Sequence, residues 1–113
     1  MVVSLTSIRL RKWWQFFQLS YFGMTIFRQL RRQPGCLRMK NTGFGYWHYT
    51  LSVWENEEAI KPFVRSGAHL HAMKFSRRLS HEIRTYTYRT DRIPSWKEAK
   101  QLLRERGKVI HYQ

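Results

Sequence analysis

An α+β domain is predicted by three features of the 113-residue sequence: a β-branched run at the start, a strongly alternating aromatic segment in the middle, and helical spacings before and after it. In order, the signals read strand, helix, strand, strand, broken helix, strand, helix. Without the last helix this is βαββαβ, the ferredoxin-like arrangement of a four-stranded antiparallel sheet with helices on one face. An extra C-terminal helix completes a single domain over residues 1–113, too short a chain to divide in two.

The first strand is read over Val2 to Arg11, with Val3, Leu5 and Ser7 on one face and Val2, Ser4, Thr6 and Ile8 on the other. Phe17, Tyr21, Met24, Phe27 and Leu30 then recur at steps of three and four, a helix whose stripe is expected to face the core. "RRQPG" stops it, because the residue before a proline is pushed out of the α region. "CLRMKN" alternates weakly as an edge strand, and "NTGFG" supplies turn residues. "YWHYTLSVW" is the strongest strand signal. Trp47, Tyr49, Leu51 and Val53 fall on one face; Tyr46, His48, Thr50, Ser52 and Trp54 fall on the other. Both faces carry bulk, so helices are expected on one side and a second subunit is a candidate for the other.

Glu55, Glu57 and Glu58 precede a buried stripe of Ala59, Ile60, Phe63 and Val64, where carboxylates complement the positive end of a helix dipole. Pro62 predicts a kink, and Ser66-Gly67 a stop. "AHLHAMKFSRRL" resumes as a short helix, "EIRTYTYRT" is the fourth strand, and "PSWKEAKQLLRERG" the last helix. Ser95 is its N-cap, Glu98 completes a capping box, and Gly107 marks the exit.

A hydrophobic content of 42% supports a packed core, and the one cysteine, Cys36, permits no internal disulfide, which suits a reducing cytoplasm. Lys and Arg outnumber Asp and Glu 21 to 7, giving a net charge of +14. That balance attracts polyanions without choosing among them. The basic residues are spread over every segment and match no nucleic-acid-binding module, which argues against nucleic acid as partner. The uncharged run Trp13 to Phe27 is shorter than the roughly 20 residues of a bilayer span. "RQLRRQ" follows it in place of a cleavage site, so no secretory signal is read. Its rings, flanked by Arg11, Lys12, Arg28, Arg31 and Arg32, suit either a sheet-covering helix or a peripheral seat on an anionic membrane.

Phosphate loops, nucleophile elbows and paired carboxylates at glycosidase spacing are absent. The chemistry-bearing candidates are His69 and His71, after the Ser-Gly break. They stand about 200° apart on a helix and do not chelate one metal from one face, so no metal site is predicted. His69 reads either as a hydrogen-bonding anchor at the break or as a group aimed into a pocket.

"HYTLSVWENEEAIKPFVRSGAHLHAM" resembles the pattern of small proteins of the dimeric α+β barrel superfamily, near the antibiotic biosynthesis monooxygenase domains and similar to spheroidene monooxygenase. "RQPGCL" and "IPSWKEAKQLLRERGK" agree in order, so the resemblance runs from Arg9 onward. Pro62 and the basic "KFSRRLSHEI" depart from the pattern. The resemblance implies a homodimer with facing sheets and an apolar pocket between sheet and helices. It implies either cofactor-free oxygenation, haem as a cofactor, or no reaction at all. On it, His69 is the catalytic candidate, and Trp54, Phe17, Tyr21, Met24, Phe27, Tyr49, Phe63 and Met73 are expected to line a site for a hydrophobic or aromatic molecule. The alternatives are a non-catalytic, ligand-binding or stress-associated dimer, and a basic peripheral protein on anionic lipid or nucleic acid.

Overall fold

The computed structural model describes residues 1–64 and 80–111. Strands β1 (Val2–Leu10), β2 (Cys36–Phe44), β3 (Trp47–Trp54), β4 (Ser80–Arg89) and β5 (Lys108–His111) form one antiparallel sheet. Their spatial order is β2-β3-β1-β4-β5. Three helices, α1 (Phe16–Arg32), α2 (Glu57–Val64) and α3 (Trp96–Arg106), are described with it, and a short 3-10 turn, Trp13–Gln15, leads into α1. The predicted α+β class stands, and so does the element order among the described residues; the Ser66-Gly67 stop and the short helix read over "AHLHAMKFSRRL" lie outside them. The sheet gains a fifth strand, because Gly107 ends α3 and the following Lys108–His111 pairs with Glu82–Thr85 of β4.

The sheet is built around β1. Its partners are β3, with Val2 opposite Trp54 and Arg9 opposite Trp47, and β4, with Val2 opposite Arg89 and Ile8 opposite Ile83. One face collects Val3, Leu5, Leu51 and Val53, all fully buried under Ala99 and Leu103 of α3. The other holds a second cluster, Val2 and Trp54 against Cys36, Met39, Ala59 and Ile60. Helices therefore sit on both faces. Leu51 and Val53 are covered by the chain's own last helix.

Local chemistry sets the boundaries. Gly35 ends the α1–β2 connection at φ +85, a conformation that favours glycine, and a Cβ there would lie 2.4 Å from Ala59 Cβ. Asn56 Oδ1 accepts from the Ala59 N–H at 2.9 Å and caps α2, whose first turn carries Glu57 and Glu58. Pro62 lies inside α2, where it removes the donor that would otherwise bond the Glu58 carbonyl. Ser95 Oγ accepts from the Glu98 N–H at 3.2 Å, the predicted cap of α3. The Glu98 carboxylate turns to Arg92, taking bonds of 3.0 and 2.7 Å from its two terminal nitrogens.

Candidate functional site

Alternation along β1 gives its two faces different fates. Val3, Leu5 and Ser7 are buried under α3, whereas Ser4, Thr6 and Ile8 on the other face stay only half-buried. A residue in a strand flanked on both sides keeps accessible surface only where nothing packs down on it. The register extends the gap sideways. Ser52, Ser4 and Thr87 form one cross-strand row, Thr50, Thr6 and Thr85 the next, and His48, Ile8 and Ile83 a third. Opposite residues in such rows stand about 4.5–5.5 Å apart at Cβ. The first two rows are a grid of hydroxyls, with Ser4 Oγ and Thr87 Oγ1 hydrogen-bonded at 3.1 Å.

Each row has a boundary. Beyond the first, Trp54 closes the sheet end, its Nε1 donating to Ser52 Oγ at 2.9 Å. Beyond the second, the third row is apolar except for His48, whose Nε2–H donates to the Gly45 carbonyl at 2.9 Å while its ring stacks on Phe16 at 5.8 Å. The result is a floor of six hydroxyls with an isoleucine rim, on the α1 and α2 side of the sheet. Hydroxyls donate and accept but do not titrate near neutrality, so the floor can hold oxygen atoms of an otherwise apolar molecule and cannot itself serve as a base.

The residues expected to line a pocket do not come together. Trp54 has no exposed surface, and its place is the core beside Val2. Phe17, Tyr21 and Met24 are exposed on α1. Tyr49 is on the α3 face, half-buried, with Lys100 Nζ 4.8 Å above its ring. His69 and Met73 lie outside the described residues, and so do the side chains of Phe27 and Phe63. The hydroxyl floor escaped the sequence reading, although its signal was present: Ser4, Thr6, Thr50 and Ser52 each read singly as the solvent side of a strand. Only the register shows that the polar positions of three strands are neighbours.

A separate open hollow of about 340 Å³ lies between the end of α1 and α2, lined by Gln33, Pro34, Gly35, Glu55, Glu58, Ala59 and Pro62. It touches none of the floor residues. Burial raises the Cys36 thiol above its ordinary value, partly offset by the Arg38 backbone, so the thiol is a poor nucleophile and metal ligand at neutral pH. Among the described residues no group of His, Cys, Asp or Glu could hold a metal ion. His69, the histidine a haem would need on the sequence resemblance, lies outside the described residues. His48 has one ring nitrogen committed to Gly45, and His81 is exposed on β4 next to the buried Ser80 and Glu82. No helix among the described residues is long and apolar enough to cross a membrane.

No family model matches the chain, and no curated protein matches it in sequence. Solved structures do match in shape. SnoaB from Streptomyces nogalater, a cofactor-independent oxygenase, superposes with a TM-score of 0.70 at 14% identity, over 81% of this chain and 94% of that one. An antibiotic biosynthesis monooxygenase gives a TM-score of 0.69 at 10% identity over 83% and 100%. Rv0793 from Mycobacterium tuberculosis gives 0.71 at 11% identity over 84% and 100%. With its five antiparallel strands and helices on both faces, the chain shares the ferredoxin-like α+β fold of these structures.

Proposed function

We propose that the chain is a monooxygenase-like protein that binds a hydrophobic or aromatic small molecule on the hydroxyl floor, between the sheet and its helices. One observation carries this reading: the half-buried rows of Ser4, Thr6, Thr50 and Thr85 in the middle of a sheet whose opposite face is tightly packed. Ile8 and Ile83 would lie against the rings of such a ligand, and the serine and threonine hydroxyls would hold its oxygens. The likeness in fold to a cofactor-independent oxygenase supports the reaction class.

In that reaction an electron-rich substrate supplies the reducing equivalents itself. One atom of dioxygen enters the product; the other leaves as water with two electrons and two protons from the substrate. A quinol meets this requirement without metal or flavin. The base that starts the proton transfer is assigned to His69, on the sequence resemblance. A homodimer belongs to the same reading. The raised positive charge is not needed for any of these steps.

Oxygen uptake with a quinol in the presence of a metal chelator tests the reaction. Wild-type protein is expected to consume oxygen, with His69→Ala reducing kcat by about 10²–10⁴-fold, and Thr6→Phe, which fills the floor, abolishing uptake without unfolding. Quinol binding without uptake would leave a ligand-binding protein with no reaction. Neither binding nor uptake would overturn the reading.

A further inference from the structure

We propose that one end of the molecule, formed by the 3-10 turn, the start of α1 and the β2–β3 turn, docks on an anionic lipid bilayer. Large apolar rings are exposed together there: Trp13 at 60%, Trp14 at 45%, Phe16 at 41%, Phe17 at 67% and Tyr46 at 47% of their full surface. They belong to separate pieces of chain brought to one place. The Leu10 N–H donates to the Tyr46 carbonyl at 2.8 Å, joining the end of β1 to the β2–β3 turn. Phe16 stacks on His48 of β3 and lies 5.0 Å from Phe17. A cluster of this kind on a small protein marks an interaction site.

Charge selects the partner. The first 54 residues contain eight Arg and Lys and no Asp or Glu. At this end Lys12 Nζ stands 5.6 Å from the Trp14 ring, and the Arg9 guanidinium 5.6 Å from the Trp47 ring. Arg11 donates to the Ser80 carbonyl at 3.2 Å, at the same end of the sheet. Five of the seven acids are elsewhere or already committed. Glu55, Glu57 and Glu58 follow Trp54 at the opposite end of β3, and Asp91 follows Thr90, which bonds Met1 at that same end. Glu82, opposite Arg9 in register, is buried and bonded to Arg84.

Aromatic rings with Lys and Arg among them suit the boundary between headgroups and acyl chains, where each ring has one wet and one apolar side. Membrane attachment by such a patch takes two signals, apolar insertion and attraction to anionic headgroups, and this end supplies both. A second copy of the chain would bring the same positive end and meet it with repulsion. Single-stranded nucleic acid would use the rings by stacking. Against it, the exposed stripe runs on through Tyr21 and Met24 and meets no exposed cation before Arg28, a surface suited to acyl chains.

Sedimentation with vesicles tests the docking on the full chain, independently of any turnover at the hydroxyl floor. The protein is expected to bind vesicles containing phosphatidylglycerol, and at least about tenfold more weakly those of phosphatidylcholine alone. Trp13→Ala with Trp14→Ala, and separately Arg9→Glu with Lys12→Glu, are each expected to lower binding about tenfold or more, with unchanged circular dichroism. Acyl chains brominated near the headgroup should quench the tryptophan fluorescence of bound protein. Absence of vesicle binding, equal binding to both lipids, or binding indifferent to both variant pairs would overturn the proposal. So would a Trp13- and Trp14-dependent dimer, or oligonucleotide complex, in a protein that ignores vesicles.

Discussion

Trp54 ties three parts of the chain through one ring. It ends β3, packs against Val2, Ala59 and Ile60, and donates to Ser52 at the edge of the hydroxyl floor. Trp54→Ala is expected to cost about 3–5 kcal/mol of unfolding free energy, measured by urea denaturation. A loss below about 1 kcal/mol would mean that the ring is not in the core. Gly35 is the second sensitive position, since a methyl group there meets both a positive φ and Ala59. Gly35→Ala should destabilise by about 1–3 kcal/mol in the same assay. The faces of the strands were legible at this scale: the sequence assigned Val3 with Leu5, and Ser4 with Thr6, as the structure has them. The use of each face was not. A serine on a strand reads the same whether it meets water or a ligand, and a tryptophan reads the same as wall or as core.

At the scale of elements, α3 shows how a local signal carries through to packing. Ser95 caps it, Gly107 closes it with an N–H donated to the Leu103 carbonyl at 3.1 Å, and Ala99 and Leu103 press on β1 and β3. Ser95→Ala is expected to cost about 1 kcal/mol. The hydrogen bond from Arg92 holds the Glu98 carboxyl below its ordinary value. A carboxylate depressed in the folded state stabilises above its unfolded pKa and stops doing so as pH falls through its folded pKa. The Tm should therefore drop on acidification below the ordinary glutamate range, and Arg92→Ala should shrink that drop. An identical acid response in Arg92→Ala would show that the pair is electrostatically idle. The helix was legible because its cap, exit and stripe agree. Phe17, Tyr21 and Met24 of the α1 stripe are exposed where the core was expected, since both sides of this helix are apolar in sequence and periodicity does not rank them. Strand β5 was missed because so short a run after a helix exit gains its ladder only from β4.

For the whole molecule, fold and charge act separately. The fold supplies a tightly packed face under α3 and a looser, hydroxyl-bearing face under α1 and α2. The net charge of +14 belongs to the exterior and bears on partners, not on the fold. Light scattering is expected to give twice the 13.9 kDa chain mass for the proposed dimer, and a mass of one chain at all concentrations would remove the dimer while leaving the floor in place. The element order could be read from the sequence because each element carries its own periodicity. The floor could not, since it exists only once three strands are in register. Methyl NMR tests the floor most directly. On titration with a quinol, the methyl signals of Thr6, Thr50, Thr85 and Ile8 should shift together while those of Val3, Leu5 and Leu51 stay fixed. Shifts confined to the α3 face, or none at saturating quinol, would contradict a binding site on the hydroxyl-bearing side of the sheet.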